Sequence, residues 1–130
     1  MFYIDGKHRE RFEGALAASG ALETSGKIDA YYGASLYLLT GLTGAWARLA
    51  RYVEPGCLDF QEMLDNVALS SGEQIIVRLA GNFYNGGFWT DAGLTPWDMV
   101  ASLDGDYMNL VACAFRLRAS RLTLTALSVA

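Results

Sequence analysis

The only histidine of the chain, His8, is the side chain best suited to acid–base chemistry near neutral pH, because its ordinary pKa is about 6.5. It stands one turn before Phe12 on an apolar stripe with helical spacing. Two interpretations follow: a catalytic imidazole in a cleft, or a structural histidine bonded to backbone or to a carboxylate. The apolar stripe favours the structural one.

Cysteine chemistry would need His8 to meet Cys57 or Cys113 in space. Cys113 falls inside a predicted helix, and Cys57 falls in a predicted loop with no flanking cation. Both positions are typical of inert thiols. The two cysteines also lack the paired spacing of a zinc site or a disulfide scaffold. We therefore predict no catalytic residue and a protein that is not an enzyme.

The first predicted helix opens with a cluster of positive charge at the positive end of its dipole, against the usual preference. Such a conflict can mark an anion site, since first-turn amides and cations together hold a phosphate or carboxylate. Glu10 and Glu13 are close enough to neutralise the cluster, which favours a solvated face with local ion pairs. The candidate anion- or partner-binding residues here are Lys7, His8, Arg9 and Arg11.

A second group of cations lies near the end of the last predicted helix, where positive charge complements the dipole. Guanidinium groups also suit phosphate and protein contacts. Arg116 and Arg118 are therefore further candidates for an anion or partner site. An alternative function follows: a small regulator that binds nucleic acid or nucleotide through Lys7, Arg9, Arg11, Arg116, Arg118 and Arg121.

The distribution of charge disfavours nucleic acid as a partner. The formal net charge is −4, and residues 53 to 106 carry a single cation, Arg78, against nine acidic residues. Phosphate binding needs a continuous basic footprint, which this acidic middle interrupts.

No metal or cofactor is predicted. The carboxylates of Asp104 and Asp106 lack the further ligands of a calcium loop, and Asp104 is better explained as a helix N-cap. The sequence has no Glu-x-x-His pair for a bundle metal site and no glycine loop for phosphate.

The composition is rich in apolar residues, at 52%, with only 18% charged, where about a quarter charged is usual. We infer that some apolar surface faces a partner or a second copy. No apolar run approaches the roughly 20 residues of a membrane span, and the N-terminus lacks the zones of a signal peptide. We expect a soluble, cytoplasmic protein.

Helix signals dominate the rest of the chain. Asp5 is predicted to cap a helix to about Ser19, with Gly20 as its stop. A second helix runs from about Lys27 to Gly41, and a third continues to Val53 before Pro55. Four more begin at capping residues, each followed by an apolar face: Asp59, Ser71, Thr95 and Asp104.

The tail from Leu122 to Leu127 alternates apolar and polar residues, a strand-like period. We interpret residues from about 120 to 130 as an extended arm, which could dock on a neighbouring copy. The only other strand candidate is Phe2-Tyr3-Ile4, so a two-stranded pairing of the termini is an alternative.

Several short motifs together resemble a family of small uncharacterised proteins encoded in bacteriophages and prophages of Gram-positive bacteria. The resemblance implies a compact helical fold and a phage-linked setting, and it carries no assigned activity. The motifs are His8-x-x-Arg11-Phe12, Tyr32-x-x-Ser35-Leu36-Tyr37-Leu38-Leu39, Leu79-Ala80-x-Asn82-x-x-Asn85-Gly86, Leu103-Asp104 with Asn109, and Ala114-x-Arg116-x-Arg118.

The sequence as a whole predicts a single all-α domain over residues 1–130. We expect a compact orthogonal bundle of six or seven short helices with an extended C-terminal tail. The function that fits best is a non-enzymatic interaction or structural module of a phage or prophage. It forms a homodimer or larger oligomer through an apolar face or the C-terminal arm.

Overall fold

The computed structural model describes residues 1–86 and 94–120 and the backbone of Leu122–Thr123. Within these residues the chain forms seven α-helices, and a 3-10 turn at Ala50–Tyr52 follows the third. The predicted all-α fold with six or seven short helices is confirmed. The helices are α1 (His8–Ser19), α2 (Ala30–Thr40), α3 (Trp46–Leu49), α4 (Phe60–Asn66), α5 (Ser71–Tyr84), α6 (Pro96–Ser102) and α7 (Gly105–Ala119).

Helix α2 is the centre of the core. Every residue from Gly33 to Thr40 is buried, as a helix that is apolar on all sides requires. Helices α1, α5 and α7 pack around it. One of the few polar side chains inside, Ser35, donates its hydroxyl to the carbonyl oxygen of Ala80 on α5 at 2.6 Å. This bond removes the cost of burying an unpaired hydroxyl.

The helix starts follow the capping signals with two corrections. Asp59, Thr95 and Asp104 accept backbone N–H bonds as predicted N-caps. The cap of α5 is Ser70 and not Ser71, because the reciprocal partner three residues on is Glu73. Asp5 does not cap α1: its side chain accepts the N–H of Lys7, and the N-cap position is Lys7 without a side-chain bond.

Helix α2 also starts later than predicted. Lys27–Ile28 forms a short strand, β1, and Asp29 is the N-cap, with Oδ1 accepting the N–H groups of Tyr31 and Tyr32 at 2.9 and 3.1 Å. A carboxylate at this position satisfies two of the donors that a helix start leaves unpaired. It therefore fixes the boundary between strand and helix.

Among the residues that the structure describes there are also two antiparallel strand pairs, and the sequence predicted neither pairing. Strands β2 (Val53–Glu54) and β3 (Cys57–Leu58) form a hairpin, and its turn contains Gly56 at φ 76°. Strand β4 (Leu122–Thr123) pairs with β1 and not with Phe2-Tyr3-Ile4. The start of the tail is thus extended, as predicted, and is tied to its own chain. The rest of the predicted arm lies outside the described residues.

The N-terminal segment, residues 1–7, is fastened to the helices by several hydrogen bonds, two of which involve Phe2 and Ile4. The hydroxyl of Tyr37 on α2 donates to the carbonyl oxygen of Phe2 at 2.6 Å. The N–H of Ile4 donates to Nδ1 of His8 at 3.2 Å. These bonds give the extended segment partners that it cannot find within itself.

None of the described helices combines the length and the apolar character that a membrane crossing requires.

Candidate interaction surface

His8 is part of the core and does not line a cleft. Its side chain is fully buried on the inner face of α1, where Nδ1 accepts the N–H of Ile4 and Nε2 lies 2.9 Å from the carbonyl oxygen of Tyr37. Burial lowers its pKa to about 4, outweighing the bond to Tyr37. The imidazole is therefore neutral at neutral pH, both its nitrogens are used by backbone, and it cannot contribute to an anion site.

Arg11 is held in place by neighbouring groups at the end of α2. Its Nη2 lies 3.0 Å from Oδ2 of Asp5, and its Nε donates to the carbonyl oxygen of Thr40 at 2.9 Å. A cation there satisfies a terminal carbonyl and complements the negative end of the α2 dipole. The guanidinium, together with the Thr43 hydroxyl, holds the pKa of Asp5 well below its usual range. Arg11 is thus a structural residue that joins α1 to α2.

The other cations of the first turn differ in how they are placed. Arg9 forms an ion pair with Glu13 one turn on, with Nε 3.2 Å from Oε1. Lys7 is exposed and, with Glu10 and Arg11, lines part of a groove of about 430 Å³ beside α1. Uncharged residues line the rest, so the charged groups of the groove are these two cations and the Glu10 carboxylate. The remaining lining residues are Gly14, Ala15, Ala18, Trp46, Ala50 and Val53.

The arginines of α7 lie at the other end of α2. The guanidinium carbon of Arg118 sits 3.9 Å from the ring centroid of Tyr31, in the first turn of α2, and Arg116 is exposed. Arg121 is outside the described residues. Tyr31 and Thr40 are nine residues apart on one helix, which corresponds to about 14 Å.

The structure places one cation from each sequence-predicted group at a different end of α2. Arg11 contacts one end, and Arg118 contacts the opposite end. These two contacts do not join the groups into the continuous basic footprint that nucleic acid requires. The sequence predicted Arg11 as a first-turn cation of α1 and did not predict its contact with the C-terminal end of α2.

Both cysteines are free thiols. Cys57 is exposed on β3, and Cys113 is buried on α7. Among the described residues no three potential metal ligands come together.

The most unusual surface of the described chain is one face of α6. Trp97 is 84% exposed and Val100 is 71% exposed. With Pro96 and Ala101 they line a shallow apolar depression. Folded proteins rarely leave a tryptophan this open, and such aromatic side chains are enriched where one protein binds another. We call these four residues the α6 face.

The sequence contains a signal for the α6 face that our prediction did not use, namely apolar residues on two sides of the helix. Within α6, Met99 is buried, and Leu103 just after it is buried too, whereas Trp97 and Val100 point outward. When a short helix carries apolar side chains on two opposite sides, only one side can pack against the protein core, and the other side stays exposed.

The exposed face carries no charge of its own. The only ionisable residue of α6, Asp98, accepts the hydroxyl and the N–H of Thr95, at 2.6 and 3.2 Å from Oδ2. One oxygen of its carboxylate is therefore engaged in the capping box at the start of the helix. A partner covering Trp97 and Val100 would meet apolar surface and would not have to desolvate an unpaired charge.

Comparisons of the chain with family models, curated proteins and solved structures found no match.

Proposed function

We propose that this protein is a non-enzymatic interaction or structural module that self-associates through the α6 face. The observation that carries the proposal is the 84% exposure of Trp97 beside the 71% exposure of Val100. Truncation of a buried interface tryptophan commonly costs 2 kcal/mol or more in binding free energy, roughly thirtyfold in affinity. The low charged fraction of the chain, 18%, supports the same conclusion.

A second copy is the occupant that fits this face best. In a twofold contact the same patch meets itself, so it must not carry like charges. Pro96, Trp97, Val100 and Ala101 satisfy that condition, and Asp98 is engaged with Thr95. An oppositely charged partner would have no charge to pair with on this face.

The phage or prophage setting and a location in the bacterial cytoplasm are part of the same proposal. They rest on the family resemblance of the sequence motifs, which carries no activity of its own. A small module that binds copies of itself is consistent with a structural role in that setting.

The test is sedimentation equilibrium of the full chain over a wide range of protein concentration. We expect a reversible dimer or larger oligomer. Trp97→Gln should raise its dissociation constant about thirtyfold, and Val100→Gln should raise it less. Both side chains are exposed, so the far-UV circular dichroism spectrum of each variant should be unchanged.

A matched control is Phe115→Gln, which changes another large exposed apolar side chain, 52% exposed, on α7. This variant should associate as the unmodified chain does. A monomer at every concentration overturns the proposal, and so does an oligomer that Phe115→Gln dissociates while Trp97→Gln does not.

A further inference from the structure

A depression of about 550 Å³ lies where the start of α2 meets the end of α5. Three tyrosines and one carboxylate dominate its lining, and none of them was among the sequence-predicted site residues. The lining residues are Asp29, Tyr31, Tyr32, Tyr84, Asn85 and Gly86.

The carboxylate of Asp29 is only half used by the fold. Its Oδ1 accepts the N–H groups of Tyr31 and Tyr32 as the N-cap of α2. Its Oδ2 accepts no hydrogen bond from the described residues, and no described cation forms an ion pair with Asp29. One oxygen of an exposed, charged group is therefore free to meet a ligand.

The tyrosines present aromatic rings beside this free oxygen. The rings of Tyr32 and Tyr84 are in edge-to-face contact, with centroids 5.2 Å apart and planes at 80°. The Tyr84 hydroxyl beside it, and then burial, raise the pKa of Tyr32 to about 12. The Tyr32 phenol is thus uncharged at neutral pH and attracts cations through its ring quadrupole.

The protein already places one organic cation on this group of rings. The guanidinium of Arg118 lies 3.9 Å from the centroid of Tyr31, although Arg118 itself does not line the depression. A guanidinium thus packs on a tyrosine ring at this end of α2, and that tyrosine lines the same depression as Asp29, Tyr32 and Tyr84.

We propose that this depression binds a weakly hydrated organic cation, either a guanidinium or a methylated ammonium. Asp29 Oδ2 forms the ion pair, and the rings of Tyr32 and Tyr84 supply the aromatic wall. The cation comes either from a free small molecule or from a side chain of a partner protein. This binding is independent of self-association through the α6 face.

An anionic ligand is the opposing alternative, because tyrosine hydroxyls and the Asn85 amide can donate hydrogen bonds. The sign of the charge effects separates the two. Asp29 attracts a cation and repels an anion, whereas the nearby Arg118 does the reverse. Substitutions at these two positions must therefore shift the affinity in opposite directions.

The experiment is NMR titration of the full chain, with chemical-shift changes of the tyrosine ring signals as the readout. The probes are N-acetyl-arginine amide and tetramethylammonium chloride. N-acetyl-citrulline amide is the control ligand, because it has the shape of the arginine probe without its charge. We expect saturable shifts at Tyr32 and Tyr84 with at least one cation and none with the citrulline compound.

Four variants assign the binding to the named groups. Asp29→Asn keeps an equally good N-cap and should weaken binding about fivefold through loss of the charge. Tyr32→Leu should weaken it about threefold to fivefold, whereas Tyr32→Phe, which keeps the ring, should change it less than twofold. Arg118→Met removes a like charge and should strengthen binding about twofold.

Saturable binding of one cation assigns the ligand: the arginine compound indicates a partner's side chain, and tetramethylammonium indicates a methylated amine. Three results overturn the proposal. They are equal binding of the citrulline compound, an affinity that Asp29→Asn leaves unchanged or increases, and an absence of saturable shifts with both cations. Asp29→Asn retains the cap, so its result does not depend on whether Tyr32→Leu folds.

Discussion

The imidazole of His8 lies against the ring of Tyr37 with centroids 4.9 Å apart, and its Nε2 is bonded to the carbonyl oxygen of the same residue at 2.9 Å. Because Nδ1 accepts the N–H of Ile4, the proton must be on Nε2, which donates to Tyr37. A second proton on Nδ1 would point at the Ile4 N–H, a donor facing a donor. Only the neutral form of the imidazole can therefore make both hydrogen bonds.

Acid should therefore destabilise the protein through His8. The pKa is about 4 in the folded state and about 6.5 in the unfolded chain, so the unfolded chain binds the proton more tightly. The stabilisation is fully present above about pH 6.5. As the pH falls from about 6.5 to about 4, the free energy of unfolding decreases by about 3 kcal/mol.

Urea unfolding at a series of pH values between 7.5 and 4 measures this dependence. His8→Gln is the control, since it retains a donor and an acceptor but does not titrate, and its stability should vary much less over the same interval. Equal pH dependence in the two proteins would show that His8 is not the cause. Asp5 makes a separate contribution to the pH dependence. Because its pKa is lowered in the folded protein, protonation of Asp5 decreases the stability only below about pH 4.

Two tyrosine-to-phenylalanine substitutions should have different effects although each removes one buried hydroxyl. Tyr37→Phe removes the bond to the Phe2 carbonyl and should lower the free energy of unfolding by about 1–2 kcal/mol. Tyr3→Phe removes a buried hydroxyl that has no hydrogen-bond partner among the described residues. It should be neutral or stabilising by up to about 1 kcal/mol.

Chemical denaturation of both variants tests the difference. Hydrogen exchange adds a local readout, because Tyr37→Phe should also reduce protection of the Ile4 amide, which lies in the segment that this bond fastens. A Tyr3→Phe variant as destabilised as Tyr37→Phe would contradict the assignment of the Tyr3 hydroxyl as unpartnered.

Gly41 allows three helices to approach each other, and alanine there should be destabilising. A Cβ at this position would lie 2.9 Å from both methyl groups of Leu110 on α7 and 3.2 Å from Cε1 of His8 on α1. Leu110 is fully buried and has little room to move. Overpacking of this kind costs about 1–3 kcal/mol.

Gly14 is the matched control for this substitution. It lies within α1, and a Cβ there meets no atom within 4 Å. Gly14→Ala should stabilise the protein by about 0.5–1 kcal/mol through helix propensity. Thermal unfolding of the two variants should therefore shift the midpoint in opposite directions, and a rise for Gly41→Ala would show that the contact with Leu110 relaxes without cost.

The start of α5 distinguishes two adjacent serines. Ser70 Oγ accepts the N–H of Glu73 at 3.2 Å, and Glu73 Oε1 accepts the N–H of Ser70 at 2.8 Å. Ser70→Ala should lower the free energy of unfolding by about 1 kcal/mol, and Ser71→Ala should change it by less than half of that. Urea denaturation of the pair decides between them, and the opposite order would restore Ser71 as the cap.

Local signals in the sequence predicted the helices well because their causes are local. Thr95 and Asp104 cap helices through bonds within three residues, and such bonds depend on neighbouring residues alone. Ser70 and Ser71 show the limit of this reasoning. Each serine has a suitable partner three residues on, Glu73 or Gln74, and only the backbone geometry chooses between them.

The partners of the strands and the candidate surfaces could not be predicted in the same way, although the alternating tail did predict that Leu122 and Thr123 are extended. The pairing of Lys27 with Thr123 joins residues far apart in the chain, and a strand such as Val53–Glu54 has too little sequence to show a period. Arg11 and Arg118 both looked available for an anion, but their partners, Thr40 and Tyr31, become neighbours only in three dimensions. Exposure of Trp97 likewise depends on which side of α6 faces α5.

The central position of α2 also affects how the protein is made. Helix α2 ends at Thr40, but α7, which covers part of it, begins only at Gly105. At a synthesis rate of about 5–20 residues per second, the apolar helix α2 is exposed for several seconds before α7, which packs on it, has left the ribosome. The nascent chain is thus a natural client for chaperones that hold unfinished proteins, and slow codons between the two helices would prolong its exposure.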